Sequence, residues 1–185
     1  GYRGLATFEF LRDAEGEFYF MEVNPRVQVE HTVTEMITGL DLVSLGIRVA
    51  AGEELPLSQQ DVRWDGHAIQ ARINAENPMT LDPSPGKVWE CHWPGGPGVR
   101  IDTHAFSGYD MPGAFDSLLA KIIAWAPSRE EAILRLDAAL DEAILLGVDT
   151  LIPLHRAILN ESDFRERKIT TDYLETHQGL VSGSR

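Results

Sequence analysis

Thr7-Phe8-Glu9-Phe10-Leu11-Arg12-Asp13-Ala14-Glu15-Gly16-Glu17-Phe18-Tyr19-Phe20-Met21-Glu22-Val23-Asn24 is the stretch that decides how the chain begins to fold. Ala6–Phe10 and Glu17–Asn24 are aromatic-rich and alternating, and Asp13-Ala14-Glu15-Gly16 between them is turn chemistry, so a β-hairpin is predicted. Side chains two apart on a strand share a face, which aligns Glu22 with Asn24 and Phe20 and sends Tyr19, Met21 and Val23 to the other side. Glu9 faces away from its neighbours Phe8 and Phe10, and antiparallel pairing can set it beside Glu22. Two carboxylates and an amide oxygen on a rigid sheet suit a hard cation such as Mg²⁺ with bridging phosphates. A solvated sheet face has the same spacing, and the pattern alone leaves both open.

The next residues, Pro25-Arg26-Val27-Gln28-Val29-Glu30-His31, read as extended, with Arg26, Gln28 and Glu30 on one face. A guanidinium, an amide and a carboxylate projecting together suit a small planar oxyanion that has a proton to lose. A surface ion pair between Arg26 and Glu30 is the plainer alternative. His31 either orients Glu30 or plays a hydrogen-bonded structural part.

Further out, a helix is expected from about Val33 to Gly39, and a second over Leu42–Ala51 with Asp41 as N-cap and Gly52 as stop. Strands are expected at Asp61–Trp64, Gly66–Asn74, Lys87–His92, Val99–Ala105 and Leu119–Trp125, within a tract rich in proline and glycine. Ser128 and Glu131 form a capping box for an amphipathic helix carrying Ala132, Ile133, Leu136, Ala139, Leu140, Ala143 and Ile144. Pro153 starts a helix that ends near Asn160. Strands, helices, strands and helices in that order give an α+β fold with a mixed antiparallel sheet.

Composition narrows the function classes. The 185 residues are 43% hydrophobic and 24% charged, ordinary for a globular protein. A net charge of -13 without a Lys/Arg run argues against nucleic acid and membrane as partners. The single Cys91 forms no internal disulfide and fits a cytoplasm or an organelle matrix. A chain opening at Gly1-Tyr2, almost at a strand, reads as cut from something longer, and 179–185 read as a disordered tail.

The motifs together resemble the biotin carboxylase family of the ATP-grasp superfamily. The resemblance rests on Thr7–Phe10, on Phe20–Glu35 with its Glu22-Val23-Asn24-Pro25-Arg26 and Gln28-Val29-Glu30-His31, and on Ala71–Pro78. Pro83–Lys87, Pro94–Arg100 and Asp116–Lys121 extend it. It implies the C-terminal portion of an ATP-grasp domain over 1–50 and a biotin carboxylase C-terminal domain over 51–178. It implies that Glu9, Glu22 and Asn24 hold Mg²⁺ or Mn²⁺ with ATP, and that Arg26, Gln28 and the Val29 N–H position bicarbonate. Glu30 would be the base, and Arg72 would stabilise the biotin enolate; a structural ion pair of Arg72 with Asp116 is the other reading, and the two are compatible. Expected partners are a biotin carboxyl carrier protein, a carboxyltransferase and a second copy of the chain, with biotin as the carried substrate. The chain by itself is expected to be inactive, since the glycine-rich lid is not among these residues. Leu151 departs from the family's usual Asn, at a position expected to shape a helix start. A carbamate-forming ligase and a non-catalytic dimerisation or docking module are the alternatives.

Overall fold

A computed structural model describes residues 1–181, so the last four residues of the expected tail lie outside the described residues. The chain divides into two compact units, Gly1–Asp65 and a second that begins at Gly66. The first opens with the expected hairpin, β1 (Thr7–Arg12) against β2 (Phe18–Asn24). Glu9 lies directly opposite Glu22, but the next pair is Phe10 with Phe20, so Met21 is the extra residue of a β-bulge. The bulge flips the strand beyond it, and Phe20 joins Phe10 with ring centroids 5.8 Å apart instead of sharing the face of Glu22 and Asn24.

Beyond β2 the chain enters α1 (His31–Thr38), which ends at Gly39 in the left-handed region (φ 70), where its N–H closes on Glu35 O at 2.9 Å. Asp41 then caps α2 (Leu42–Ala50), its Oδ1 accepting from Ser44 N at 2.8 Å. The buried Glu35 carboxylate accepts from Leu42 N at 2.7 Å and so ties the two helices together. Asp61–Trp64 is not a strand: Gln59–Asp61 is a 3₁₀ turn capped by Ser58, and Asp65 N returns to Ile37 O at 2.8 Å. Leu55, Leu57 and Trp64 line an apolar cavity of about 590 Å³ with Leu5, Ile37 and Leu45. That return to the helices is why the first unit ends at Asp65 and not at residue 50.

The second unit is built on a three-stranded antiparallel sheet with β3 (His67–Asn74) and two strands introduced below. Glycine-rich connections then carry β4 (Gly86–Lys87), β5 (Glu90–His92), β6 (Val99–Thr103) and β7 (Asp110–Met111). The predicted Lys87–His92 strand is divided because β4 pairs with β7 while β5 pairs with β9 (Ile144–Leu146). The switch of partner falls at the fully buried Val88, whose N–H bonds Tyr109 O while Trp89 N turns to Leu146 O.

β8 (Leu118–Ala126) runs between β3 and β6, which is why its sequence is an almost unbroken apolar run. Ser128 caps α3 (Arg129–Glu142), whose Ala132 is buried and whose Ile133, Leu136, Ala139 and Leu140 share one core with Ile73 and Ile122 of the sheet. The helix stops at Glu142, so Ala143 and Ile144, expected on it, become its cap and the start of β9. Leu151 is the N-cap of α4 (Ile152–Asn160), with Pro153 in its first turn, and α5 (Ser162–Arg165), α6 (Tyr173–Thr176) and α7 (Gln178–Val181) follow. The last of these helices occupies 179–181 of the segment expected to be tail.

Leu136 is 1% exposed at the centre of this core. Leu136→Ala should cost about 2–5 kcal/mol through lost burial and a cavity. Urea unfolding of the chain measures it, and a loss below about 1 kcal/mol would mean that α3 does not pack as described.

Candidate catalytic site

The hairpin register brings Glu9, Glu22 and Asn24 together. Asn24 Nδ2 donates to Glu9 Oε1 at 2.8 Å and to Glu22 Oε1 at 2.9 Å, so one amide bridges both carboxylates. Gln28 Nε2 donates to the same Glu9 oxygen at 2.9 Å from a buried position, and its own Oε1 has no hydrogen-bond partner. Arg26 Nη2 reaches Asn24 Oδ1 at 3.4 Å. The donor set, two carboxylates and an amide that can offer its oxygen, fits a hard divalent cation.

Arg26, Gln28 and Glu30 do not form the expected extended face. The chain bends at Arg26, whose N–H bonds Asn24 O at 2.8 Å, and turns at Val29-Glu30. Glu30 has φ -80 and ψ 0 and serves as N-cap residue of α1, with Val33 N bonded to its carbonyl at 3.0 Å. This bend carries Gln28 inward to Glu9 while Arg26 and Glu30 stay exposed. His31 takes the structural part: its Nδ1 lies 2.7 Å from Gln28 O and its Nε2 3.9 Å from Glu35. No spacing rule announces the Gln28 contact with Glu9, because it spans nineteen positions.

Arg72 lies in the second unit, exposed on β3 opposite Lys121. Asp116 spends one carboxylate oxygen on capping the backbone, accepting from Leu118 N at 2.8 Å. On the next strand Asp102 stands opposite Lys121 and accepts from its Nζ at 3.2 Å and from Arg100 Nε at 2.8 Å. Burial pushes the Asp102 carboxyl up, but the hydrogen bonds and charges of Arg100 and Lys121 outweigh that and hold it below the usual carboxylate range. Two supports of Arg72 escaped the sequence. His155 Nε2 lies 2.7 Å from the Arg72 carbonyl, and Asn74 Nδ2 donates to Glu76 and Ser117 at 2.9 and 3.1 Å. Ser117 Oγ in turn donates to Glu76. Arg72, Asn74 and Glu76 recur at alternate positions, which is the one signal that pointed there.

Comparison with known proteins points to one family. Residues 70–176 match the family model of the biotin carboxylase C-terminal domain, and residues 1–58 that of the carbamoyl-phosphate synthase L chain ATP-binding domain. The chain is 51% identical over 97% of its length to biotin carboxylase of Haemophilus influenzae, covering 40% of that protein. It is 49% identical over 96% of its length to chloroplastic biotin carboxylase of Arabidopsis thaliana, covering 33% of that protein. Among solved structures, the biotin carboxylase domain dimer of Hydrogenobacter thermophilus 2-oxoglutarate carboxylase, in complex with MgADP, ADP and bicarbonate, superposes with a TM-score of 0.94. That pair is 46% identical over 97% of this chain and 40% of the other. The chain therefore spans about 40% of the bacterial relative and of the solved domain, and a third of the plant enzyme.

Burial holds the His155 imidazole below the 6.5 of an ordinary histidine, against the opposing pull of the Arg72 carbonyl and of Glu76. Below about pH 6.5 the unfolded chain takes up a proton that the folded chain refuses, so His155 costs stability as the pH falls through that point and nothing above it. Urea unfolding between about pH 7.5 and 5 should show a loss that His155→Gln reduces. Identical pH slopes in the two proteins would contradict the assignment.

Proposed function

This chain belongs to the biotin carboxylase family, and from that premise we propose that it is part of an enzyme that carboxylates carrier-bound biotin with ATP and bicarbonate. The observation that carries the proposal is the convergence of Glu9, Glu22, Asn24 and Gln28 through shared hydrogen bonds. Glu9, Glu22 and Asn24 would hold Mg²⁺ or Mn²⁺. Such a cation, when bound, neutralises phosphate oxygens. Arg26, Gln28 and the Val29 N–H position bicarbonate, a task supported by the exposed Arg26 guanidinium, whose Nη2 stands beside Asn24 at the edge of the cluster. Glu30 takes the bicarbonate proton, and the anion attacks the γ-phosphate to give carboxyphosphate and ADP.

Carboxyphosphate separates into CO₂ and phosphate, and the phosphate takes the N1′ proton of biotin. Arg72 places a fixed positive charge where the ureido enolate develops, and the enolate adds to CO₂. His155 and the Asn74–Glu76–Ser117 cluster keep this part of β3 in place, which favours a rigid, preorganised Arg72. The parent enzyme works with a biotin carrier, a carboxyltransferase and a second copy of itself, in a cytoplasm or an organelle matrix. The match of residues 1–58 to a carbamoyl-phosphate synthase domain fits the ATP-grasp portion of either ligase, and the match of 70–176 favours the biotin enzyme.

In the full-length protein, Arg72→Gln should leave bicarbonate-dependent ATP cleavage largely intact while carboxybiotin formation falls by about 10²–10³-fold, the usual effect of removing one such donor. Phosphate release, carboxybiotin and thermal stability are measured on the one variant. A proportional loss of all three would reduce Arg72 to a structural residue.

A further inference from the structure

Three arginines that have no part in the chemistry assigned above gather on the second unit. Arg129, Arg165 and Arg167, with Glu130 and Ile133, line a pocket of about 230 Å³ at the start of α3. A protein of net charge -13 has carboxylates to spare, yet among the described residues none lies within ion-pair distance of these three guanidinium groups. The acidic neighbours are engaged elsewhere: Glu166 pairs with Lys168, and Asp163 with His177. Glu130 lines the pocket without closing on an arginine.

Two of the arginines are held rigidly. Arg129 donates to Arg165 O at 2.9 Å and Phe164 O at 2.7 Å, with its guanidinium 4.8 Å from the Phe164 ring centroid. Arg165 donates to Leu159 O at 2.9 Å and Asn160 Oδ1 at 3.0 Å. Carbonyls and an amide satisfy N–H groups but leave the positive charge uncompensated. The third, Arg167, sits at φ 63, in the left-handed region that a side chain other than Gly, Asn or Asp seldom adopts. The charges act on one another. Burial and the Arg167 charge both hold the Arg129 guanidinium below its ordinary range, and burial, Arg129 and Arg167 do the same to the His67 imidazole.

We propose that this pocket is a binding site for a phosphate-type oxyanion, held by Arg129, Arg165 and Arg167. Guanidinium groups offer paired N–H donors that match the oxygens of a tetrahedral anion, and fixing two of them through backbone carbonyls lowers the ordering cost of binding. The anion removes the repulsion between Arg129 and Arg167. The strained backbone at Arg167 keeps a cation where a glycine would serve the turn better. The source is either free phosphate or the phosphoryl group of a monoester, and the site does not depend on the carboxylation chemistry proposed above.

The test uses the 185-residue chain, with inorganic phosphate and phenyl phosphate as probes in calorimetry at constant ionic strength, sodium chloride serving as control. One equivalent of either probe should bind, with phenyl phosphate the tighter if the source is a monoester and inorganic phosphate the tighter if it is the free ion. Arg167→Gly removes the charge at a backbone position that suits glycine. It should weaken binding by about tenfold or more, the loss expected of one charge-assisted contact, while the melting temperature without ligand stays level or rises. Binding no stronger than chloride, or undiminished in Arg167→Gly, overturns the proposal. A folded Arg129→Lys variant that binds as the parent chain does would also overturn it, because lysine keeps the charge and loses the fork.

Discussion

Glu9 and Glu22 stand directly opposite one another on paired strands, an arrangement that costs stability unless something answers the repulsion. The surrounding chain is shaped to answer it. The Asn24 amide bridges the pair and Gln28 adds a second N–H to Glu9. For Gln28 to reach Glu9 the chain cannot continue β2. It bends at Arg26, turns at Val29-Glu30 and enters α1 there, which places Glu30 at the head of the helix. The Met21 bulge completes the arrangement by rotating Phe20 away from the carboxylates and onto Phe10.

The second unit has two chemically different faces on one sheet. Ala71, Ile73, Ala120 and Ile122 face α3 and make the core. Arg72, Lys121 and Asp102 form one cross-strand row on the other face. Lys121 is 9% exposed in the middle of a buried strand, and its ion pair with Asp102 offsets part of the cost of that burial. Arg72 is thus carried on a strand fixed by the core beneath it and by His155 at its carbonyl.

Much of this was legible in the sequence. The hairpin, the caps at Asp41 and Ser128, the stop at Gly39 and the start at Pro153 follow from local chemistry, and local chemistry is what sequence patterns record. The opposition of Glu9 and Glu22 followed from alternation, because the bulge falls just beyond them. Phe20 was misplaced for the same reason, since alternation runs unbroken through Met21 in the sequence and only pairing reveals the extra residue. The turn at Glu30 was hidden by a run of alternating polar residues that reads as strand, and the contact of Gln28 with Glu9 that forces the turn is long-range. Asp61–Trp64 reads as strand but follows a 3₁₀ turn and is drawn back by the Asp65 N–H on Ile37 O, a contact that no local pattern records. The partner switch at Val88 depends on strands more than twenty residues apart in the chain.

The most direct test of the account is Mn²⁺ affinity in the full-length protein with Glu9→Gln, Glu22→Gln and both changes together, followed by electron paramagnetic resonance. If the hairpin register builds one cation site from two opposed carboxylates, each single change weakens binding by about tenfold or more, and the double change costs clearly less than the two losses combined. Mn²⁺ bound as tightly by all three variants as by the parent protein would mean that the paired carboxylates of β1 and β2 are not a cation site.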